Sequence, residues 1–149
     1  MKLILQTLVW ILILGLTSCQ NDKNAKQSAD RLVSTNWIFL GLQHPDTRMF
    51  GSIPSDISGM NIIFYRSGNF QANSSCNIVY GYYSIAGKNS MKMDSITMTK
   101  MFCMDSIQIV WEDKYVSGLK NSKEFEISQD TLSIKTNINT ELIFKAASR

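Results

Sequence analysis

The chain has 149 residues, of which 44% are hydrophobic and 18% are charged, and its formal net charge is +3. This length suits one domain, and this hydrophobic content is enough for a packed core. The charge imbalance is too small to indicate a nucleic-acid-binding protein.

The first 18 residues have the layout of a secretory signal peptide. Lys2 precedes an apolar run that is shorter than the roughly 20 residues of a membrane-spanning helix. The last three residues of this region and the cysteine after them, Leu-Thr-Ser-Cys from Leu16 to Cys19, resemble the lipobox of bacterial lipoproteins, in which the cysteine thiol takes a diacylglyceryl group. A short anchor that is never cleaved is the alternative. We expect residues 1–18 to be removed and Cys19 to carry lipid, including palmitate, that holds the chain on a membrane.

Residues 19–30 are polar and contain no apolar side chain larger than alanine after the cysteine, which predicts a lipidated flexible tether before a domain at residues 31–149. Removal of 18 residues with one charge, Lys2, leaves 131 residues with 14 basic and 12 acidic side chains. Gln20 is not the aspartate that resembles an inner-membrane retention signal in enteric bacteria. We therefore expect the chain at the cell envelope, on the outer membrane.

From Leu32 onward, apolar and polar residues mostly alternate, a pattern that predicts β-strands. Residues 43–59 contain both prolines and are predicted to be a long loop or edge segment. By alternation, Phe64, Tyr82, Ile127 and Phe144 are expected to point inward. The predicted strands are 37–42, 60–65, 70–72, 80–85, 91–93, 96–101, 124–128, 131–135 and 141–144.

One segment, residues 105–119, changes to helical spacing and predicts an amphipathic helix with Asp105 or Ser106 as its N-cap. The side chains expected to form its apolar face are Ile107, Val110, Trp111, Tyr115 and Leu119. Many short strands with one short helix predict a mainly β fold, a small antiparallel barrel or a strongly curved sheet, because closure removes exposed strand edges.

Three cysteines occur, and lipid on Cys19 leaves Cys76 and Cys103 in an oxidising compartment. An even remainder indicates a disulfide, and two buried free thiols are the alternative. The bond would close a loop of about 28 residues and contribute roughly 3.5 kcal/mol in the chain-entropy model.

Two short segments carry a resemblance to a known family. Cys76, Asn77, Gly81 and Tyr83 lie in the first, and Thr99, Met101 and Cys103 form the second at alternate positions. They resemble the two signatures of the META domain, the HslJ-like family of bacterial envelope proteins, and Glu112 falls where that family has an acidic residue on a short helix. The resemblance runs from about residue 34 to residue 145, and Ser75 stands where the family usually has glycine.

The resemblance implies a META-type fold and an accessory envelope protein associated with envelope stress or drug tolerance, without catalytic chemistry. The residues agree, because His44 is the single histidine and no phosphate loop or activated nucleophile is recognisable. We therefore predict no enzyme activity, no metal site and no cofactor. Asn77 is expected to act structurally, through a tight turn or a left-handed backbone, rather than as a ligand contact.

A methionine-rich stretch, residues 91–104, is expected to fill the core rather than to bind copper, and Trp111 is expected to pack in the core rather than to stack on a sugar. One of two alternating pairs, Thr99 with Met101 or Lys100 with Phe102, should face the core.

Two functions remain. In the first, the domain is a non-catalytic interaction module that binds another envelope protein or a cell-wall component through loops at one barrel end. In the second, it carries a small apolar ligand inside the barrel. The large residues predicted inside favour the first.

Overall fold

The computed structural model describes residues 27–103 and 105–148. The predicted signal peptide and the lipid site at Cys19 lie outside the described residues. The described chain contains a short helix α1 at residues 27–32 and a longer helix α2 at Ser106–Lys120. Its strands are β1 (Asn36–Gln43), β2 (Phe50–Ser52), β3 (Asn61–Phe64), β4 (Asn69–Asn73), β5 (Ile78–Ala86), β6 (Ser90–Met98), β7 (Ser122–Ser128), β8 (Thr131–Thr136) and β9 (Glu141–Ala146).

The sheet closes on itself as an antiparallel barrel of eight strands. The strand order is β2-β1-β3-β4-β5-β6-β7-β8-β9, and β1 also pairs with β9. Strand β2 is a short edge strand beside β1, within the segment predicted to be a long loop or edge segment. Pairing between β6 and β7 consists of one residue pair, Ser90 with Glu124. The prediction of a mainly β, barrel-like fold is confirmed.

The barrel has two ends, which we name the tether end and the helix end. The tether end carries α1 and the turns at residues 65–68, 87–89 and 129–130. Helix α1 is fixed there because Val33 bridges Phe64 and the Arg31 guanidinium donates to the carbonyl oxygen of Gln129. The helix end carries α2, the loops at residues 74–77 and 99–103, and the turn at residues 137–140.

Large side chains fill the barrel interior, and α2 closes its helix end. Tyr115 on α2 is fully buried, with its ring 4.8 Å from that of Phe39, and its hydroxyl donates to the carbonyl oxygen of Asn61 at 3.0 Å. Burial raises the pKa of Tyr115. The burial of each such aromatic side chain stabilises the folded state by about 1.5–3 kcal/mol. The other large interior side chains, each less than 2% exposed or nearly so, are Trp37, Phe39, Phe64, Phe70, Phe125 and Phe144.

The inward face of β5 differs from the prediction. Phe64 and Phe144 are fully buried as expected, and Ile127 is partly buried against the core, but Tyr82 is 60% exposed. Alternation fixes only that neighbouring residues face opposite sides. On β5 the inward side belongs to Val79, Gly81 and Tyr83, and the bulky ring of Phe70 occupies the space next to Gly81.

Helix α2 has the predicted span and N-cap, because the Asp105 carboxylate accepts a hydrogen bond from the backbone of Ile107 at 2.8 Å. Its buried face was predicted wrongly in part. Ile107 and Val110 are 45% and 48% exposed, and Trp111 is only partly buried. Only the second half of α2 enters the barrel mouth, so the buried residues of the helix are Glu112, Tyr115, Val116, Gly118 and Leu119.

Two further boundaries differ from the sequence predictions. Strand β6 is continuous where two short strands were predicted, with a positive φ at Ser95 accommodating an irregularity in its pairing with β5. Residues 27–30, assigned to the tether by composition, are helical, and Asp30 pairs with Arg66 at 3.2 Å. Polar composition alone does not reveal such docking, which depends on groups distant in sequence.

Candidate functional site

The disulfide predicted between Cys76 and Cys103 is present, with Cα atoms 5.9 Å apart. The bond joins two loops of the helix end, one between β4 and β5 and the other between β6 and α2. It confirms the pairing that the even number of remaining cysteines indicated. The alternative of two free thiols does not hold.

Asn77 sits at the centre of a hydrogen-bond network that crosses between these two loops and α2. Its side-chain oxygen accepts from the hydroxyl of Thr99 and from the backbone of Met101, each at 2.8 Å. Its side-chain amide donates to Glu112 at 2.8 Å and lies 3.8 Å from the sulfur of Cys103. Asn77 is not among the residues with a positive φ, so its role is this bridging and not a left-handed turn.

Glu112 is a buried acidic residue, 6% exposed, on the face of α2 that meets the two loops. Its carboxylate accepts hydrogen bonds from the backbone and the side chain of Asn77, at 2.9 and 2.8 Å, and contacts the hydroxyl of Ser74. Within the described chain, no lysine or arginine lies within 4.0 Å of it. Neutral donors thus satisfy this carboxylate, as a buried acidic group requires.

Two serines that the sequence analysis did not select complete the network. The hydroxyl of Ser74 is within hydrogen-bond distance of Glu112 and of the carbonyl oxygen of Asn77, and the hydroxyl of Ser75 donates to the carbonyl oxygen of Gln108 at 2.6 Å. Neither serine has a positive φ, so serine meets no strain where the family usually has glycine. The one feature of the sequence that could have pointed to these serines is their position next to Cys76.

The remaining residues of the first signature have packing roles. A Cβ atom on Gly81 would lie 2.7 Å from the ring of Phe70, so the absence of a side chain lets the two strands approach. Tyr83 packs edge-on against Phe64 at 5.0 Å, and its hydroxyl donates to the carbonyl oxygen of Tyr65 at 2.8 Å. Burial raises the pKa of Tyr83, an effect that Arg66 partly offsets.

The second signature contributes the hydroxyl of Thr99, the backbone N–H of Met101 and the sulfur of Cys103 to the network. The hydroxyl of Thr99 bonds to Asn77, whereas the side chains of Met101 and Phe102 are 63% and 90% exposed. The expectation that one alternating pair faces the core was therefore wrong, because residues 99–103 lie outside any strand. Core filling by methionine holds for Met91 and Met93, which are buried, but not for the exposed Met98.

The chemistry of this region is limited by the disulfide. The two sulfur atoms and a carboxylate oxygen of Glu112 lie within 4.8 Å of one another, a spacing that a metal ion would accept. Metals bind thiolates, and the bonded sulfurs offer none in this oxidised form.

His44 lies on the far side of the barrel end, where its ring contacts Asn139 at 3.1 Å. Among the described residues, no helix has the length and apolar character needed to cross a bilayer.

Known proteins share this fold at low sequence identity. The chain is similar to the solution structure of a protein from Burkholderia xenovorans, with a TM-score of 0.65 and 18% identity over 80% of this chain and 86% of that one. It is also similar to a DUF4847 family protein from Bacteroides vulgatus, with a TM-score of 0.59 and 17% identity over 79% and 96% of the two chains. These likenesses show the fold alone. No curated protein matches the chain.

The sequence profile of the META domain matches residues 43–149, which is most of the chain and includes both signatures and Glu112. The structure accounts for these signatures, since they supply the disulfide and the hydrogen-bond network that fasten two loops to α2. The chain therefore belongs to the META domain family.

Proposed function

We propose that the chain is a cell-envelope lipoprotein whose META domain is a non-catalytic interaction module. Lipid on Cys19 holds it on the outer membrane, and another envelope protein binds its helix end. The observation that carries this proposal is a group of exposed apolar side chains at that end. By the association of its family, we assign the module to envelope stress or drug tolerance.

The exposed group, which we name the apolar ridge, lies in the loop before α2 and on the first turns of α2. Phe102 and Met101 are 90% and 63% exposed, in the loop that the disulfide and Asn77 hold in place. Single exposed apolar residues are ordinary, but several close together in one segment mark an interaction surface. The ridge comprises Met101, Phe102, Ile107, Ile109 and Val110.

The position of the tether supports a protein, and not the supporting bilayer, as the partner of the ridge. The described chain starts at the tether end, opposite the ridge. Seven residues lie between Cys19 and Gln27, and even when fully extended this segment spans at most about 28 Å from one to the other. A strand of nine residues is itself about 30 Å long. Such a tether favours an orientation with the ridge pointing away from the membrane.

The packing inside the barrel favours this proposal over the alternative of a ligand carrier. Seven aromatic side chains, including Tyr115 from α2, fill the interior. A carrier would have small residues around a cavity at these positions. The buried carboxylate of Glu112 is engaged by Asn77 and Ser74, and this agrees with a structural role and not with acid–base catalysis.

The docking proposal is tested by photo-crosslinking in living cells with a photoreactive phenylalanine analogue at position 102. The matched control places the analogue at position 65, an exposed tyrosine of the tether end. We expect a discrete crosslinked protein from position 102 alone. Crosslinks to lipid alone, or the same products from both positions, would contradict the proposal.

The anchor is tested separately by metabolic labelling with an alkyne analogue of palmitate. We expect the wild-type chain to take up the label and to fractionate with the outer membrane. The Cys19→Ala variant is expected to take up none, since it lacks the thiol that forms the thioether. A label that persists in this variant would refute lipidation at Cys19.

A further inference from the structure

The barrel wall formed by β1, β3, β4 and β5 carries no charged side chain in its strands. These strands contain 26 residues without a single Asp, Glu, Lys, Arg or His. At the 18% charged content of the whole chain, about five would be expected. The opposite wall has a very different surface: β6 to β9 carry Lys92, Asp94, Lys123, Glu124, Glu126, Lys135, Glu141 and Lys145.

On β4 and β5, outward positions of this neutral wall combine aromatic rings with amides, whereas β1 and β3 also present Ile38, Leu40 and Ile63. Tyr80 and Tyr82 are 43% and 60% exposed on β5. In the register of the sheet, Tyr80 pairs with Gln71 and Tyr82 pairs with Asn69. Side chains of paired residues lie about 5 Å apart, and the two pairs follow each other at about 7 Å along the strands. A ring with an amide beside it is thus repeated on the surface.

A row of asparagines continues the amide surface across β4, β3 and β1. The side-chain nitrogen of Asn73 donates to the side-chain oxygen of Asn61, and the side-chain nitrogen of Asn61 donates to the side-chain oxygen of Asn36, each at 2.8 Å. These bonds fix the orientation of the row. They leave the oxygen of Asn73 and the amide of Asn36 without a hydrogen-bond partner among the described residues. Gln71 likewise makes no side-chain hydrogen bond there.

We infer that this neutral wall binds an uncharged glycan strand through Tyr80 and Tyr82. Sugar rings present an apolar face of C–H groups, which packs on an aromatic ring, and a rim of hydroxyl groups that both donate and accept. Amide side chains can donate to these hydroxyl groups and also accept from them, because each amide has two N–H donors and one acceptor oxygen. The four strands themselves place no charged group under a neutral polymer, so its binding desolvates none there. At the edge of the wall, Asp94 of β6 pairs with Tyr82 in the sheet and forms an ion pair with Lys92 at 3.9 Å.

A protein partner fits this wall less well. The cores of protein interfaces are enriched in aromatic residues, methionine and arginine. The wall contains neither methionine nor arginine, and its amides would need matching polar groups over the whole contact. The apolar ridge has the composition of a protein-binding surface and lies on other elements, so this inference does not depend on the function proposed for the ridge.

The test uses the full-length chain, purified from membranes in a detergent without a sugar head group. The probe is a soluble oligomer of β-1,4-linked N-acetylglucosamine, and its dissociation constant is measured by calorimetry for the wild type and two variants. We expect the Tyr80→Ser/Tyr82→Ser variant to bind about tenfold more weakly or worse. The control, Phe102→Ser, removes the most exposed aromatic residue of the ridge and should bind as the wild type does.

One further comparison identifies the source of the glycan. Binding to an uncharged polymer of β-1,4-linked N-acetylglucosamine that exceeds binding to the short oligomer would support a glycan strand as the partner, and equal binding would overturn it in favour of free oligosaccharides. Affinity should change little as salt rises from about 0.05 to 0.5 M, because no ion pairs form. A circular dichroism spectrum of each variant confirms that the fold is retained.

Several outcomes would overturn the inference. These are no binding by the wild type, equal binding by the tyrosine variant, loss of binding in the Phe102 variant, and a preference for an acidic polysaccharide. A tyrosine variant that converts a dimer into a monomer without changing glycan affinity would show that the wall is an interface between two copies.

Discussion

Replacing Asn77 with alanine tests the idea that one amide fastens the helix end of the barrel. The change removes a bond to the buried carboxylate of Glu112 and the two bonds from Thr99 and Met101. A bond to a charged group contributes about 1.5–3 kcal/mol, and each of the other two contributes about 1 kcal/mol. We therefore expect the free energy of unfolding to fall by about 3.5–5 kcal/mol.

This loss is large compared with the total stability of a small domain, which is about 5–15 kcal/mol. It is measured by urea unfolding of a chain that begins at residue 20, followed by tryptophan fluorescence. The control is Asn89→Ala, at an exposed turn where the side chain makes no hydrogen bond to the described residues. Its effect should stay within about 0.5 kcal/mol.

A double-mutant cycle tests whether the lost stability comes from the interaction between Asn77 and Glu112. If Asn77 and Glu112 act together, the Asn77→Ala and Glu112→Ala changes should be non-additive by at least about 1 kcal/mol. A loss below about 1 kcal/mol for Asn77→Ala, or strictly additive changes, would refute the reasoning.

Three other predictions follow from the core and the disulfide. The double change of Cys76 and Cys103 to serine should lower the free energy of unfolding by about 3.5 kcal/mol without lowering the m-value, and equal stability of oxidised and reduced wild type would contradict this. Gly81→Ala should cost about 1–3 kcal/mol in urea unfolding because its Cβ meets the ring of Phe70, and Phe70→Leu in the same chain should offset part of that cost; purely additive losses would exclude the clash. Burial raises the pKa of Tyr115 above its ordinary value of 10.0, so its contribution to stability is complete below pH 10 and declines above it. Tyr115→Phe should therefore remove about 1 kcal/mol of that decline in unfolding curves between pH 10 and 11, and an unchanged decline would show that the phenol does not control it.

Local patterns predicted much of the fold because they report on local physics. Alternation located most strands of the barrel, and the change of spacing after residue 104 located α2 with Asp105 or Ser106 as its cap, of which Asp105 is the one observed. The cap needs only a carboxylate two or three residues before backbone N–H groups that lack partners. The disulfide followed from the number of cysteines and the expected export of the chain, and the family from two short signatures.

The tertiary structure decided what periodicity cannot specify. Alternation assigned Tyr82 to the interior, but the ring of Phe70 fills the space beside Gly81 and leaves Tyr82 outside. Helical spacing likewise selected Ile107 and Val110, although only the later turns of α2 reach the barrel mouth. A pattern shows that a segment has two faces, and the neighbours that pack against it determine which one is buried.

The candidate site belongs almost wholly to tertiary structure. Asn77 and Glu112 are 35 residues apart in sequence, and only the packing of α2 across the helix end brings amide and carboxylate within 2.8 Å. The uncharged strands could be counted in the sequence, but their union into one wall depends on the order in which the barrel pairs them. The sequence by itself determined the residue types and their local conformations. Barrel closure decided which of them meet, because hydrogen bonding between strands that are distant in sequence sets register and neighbours.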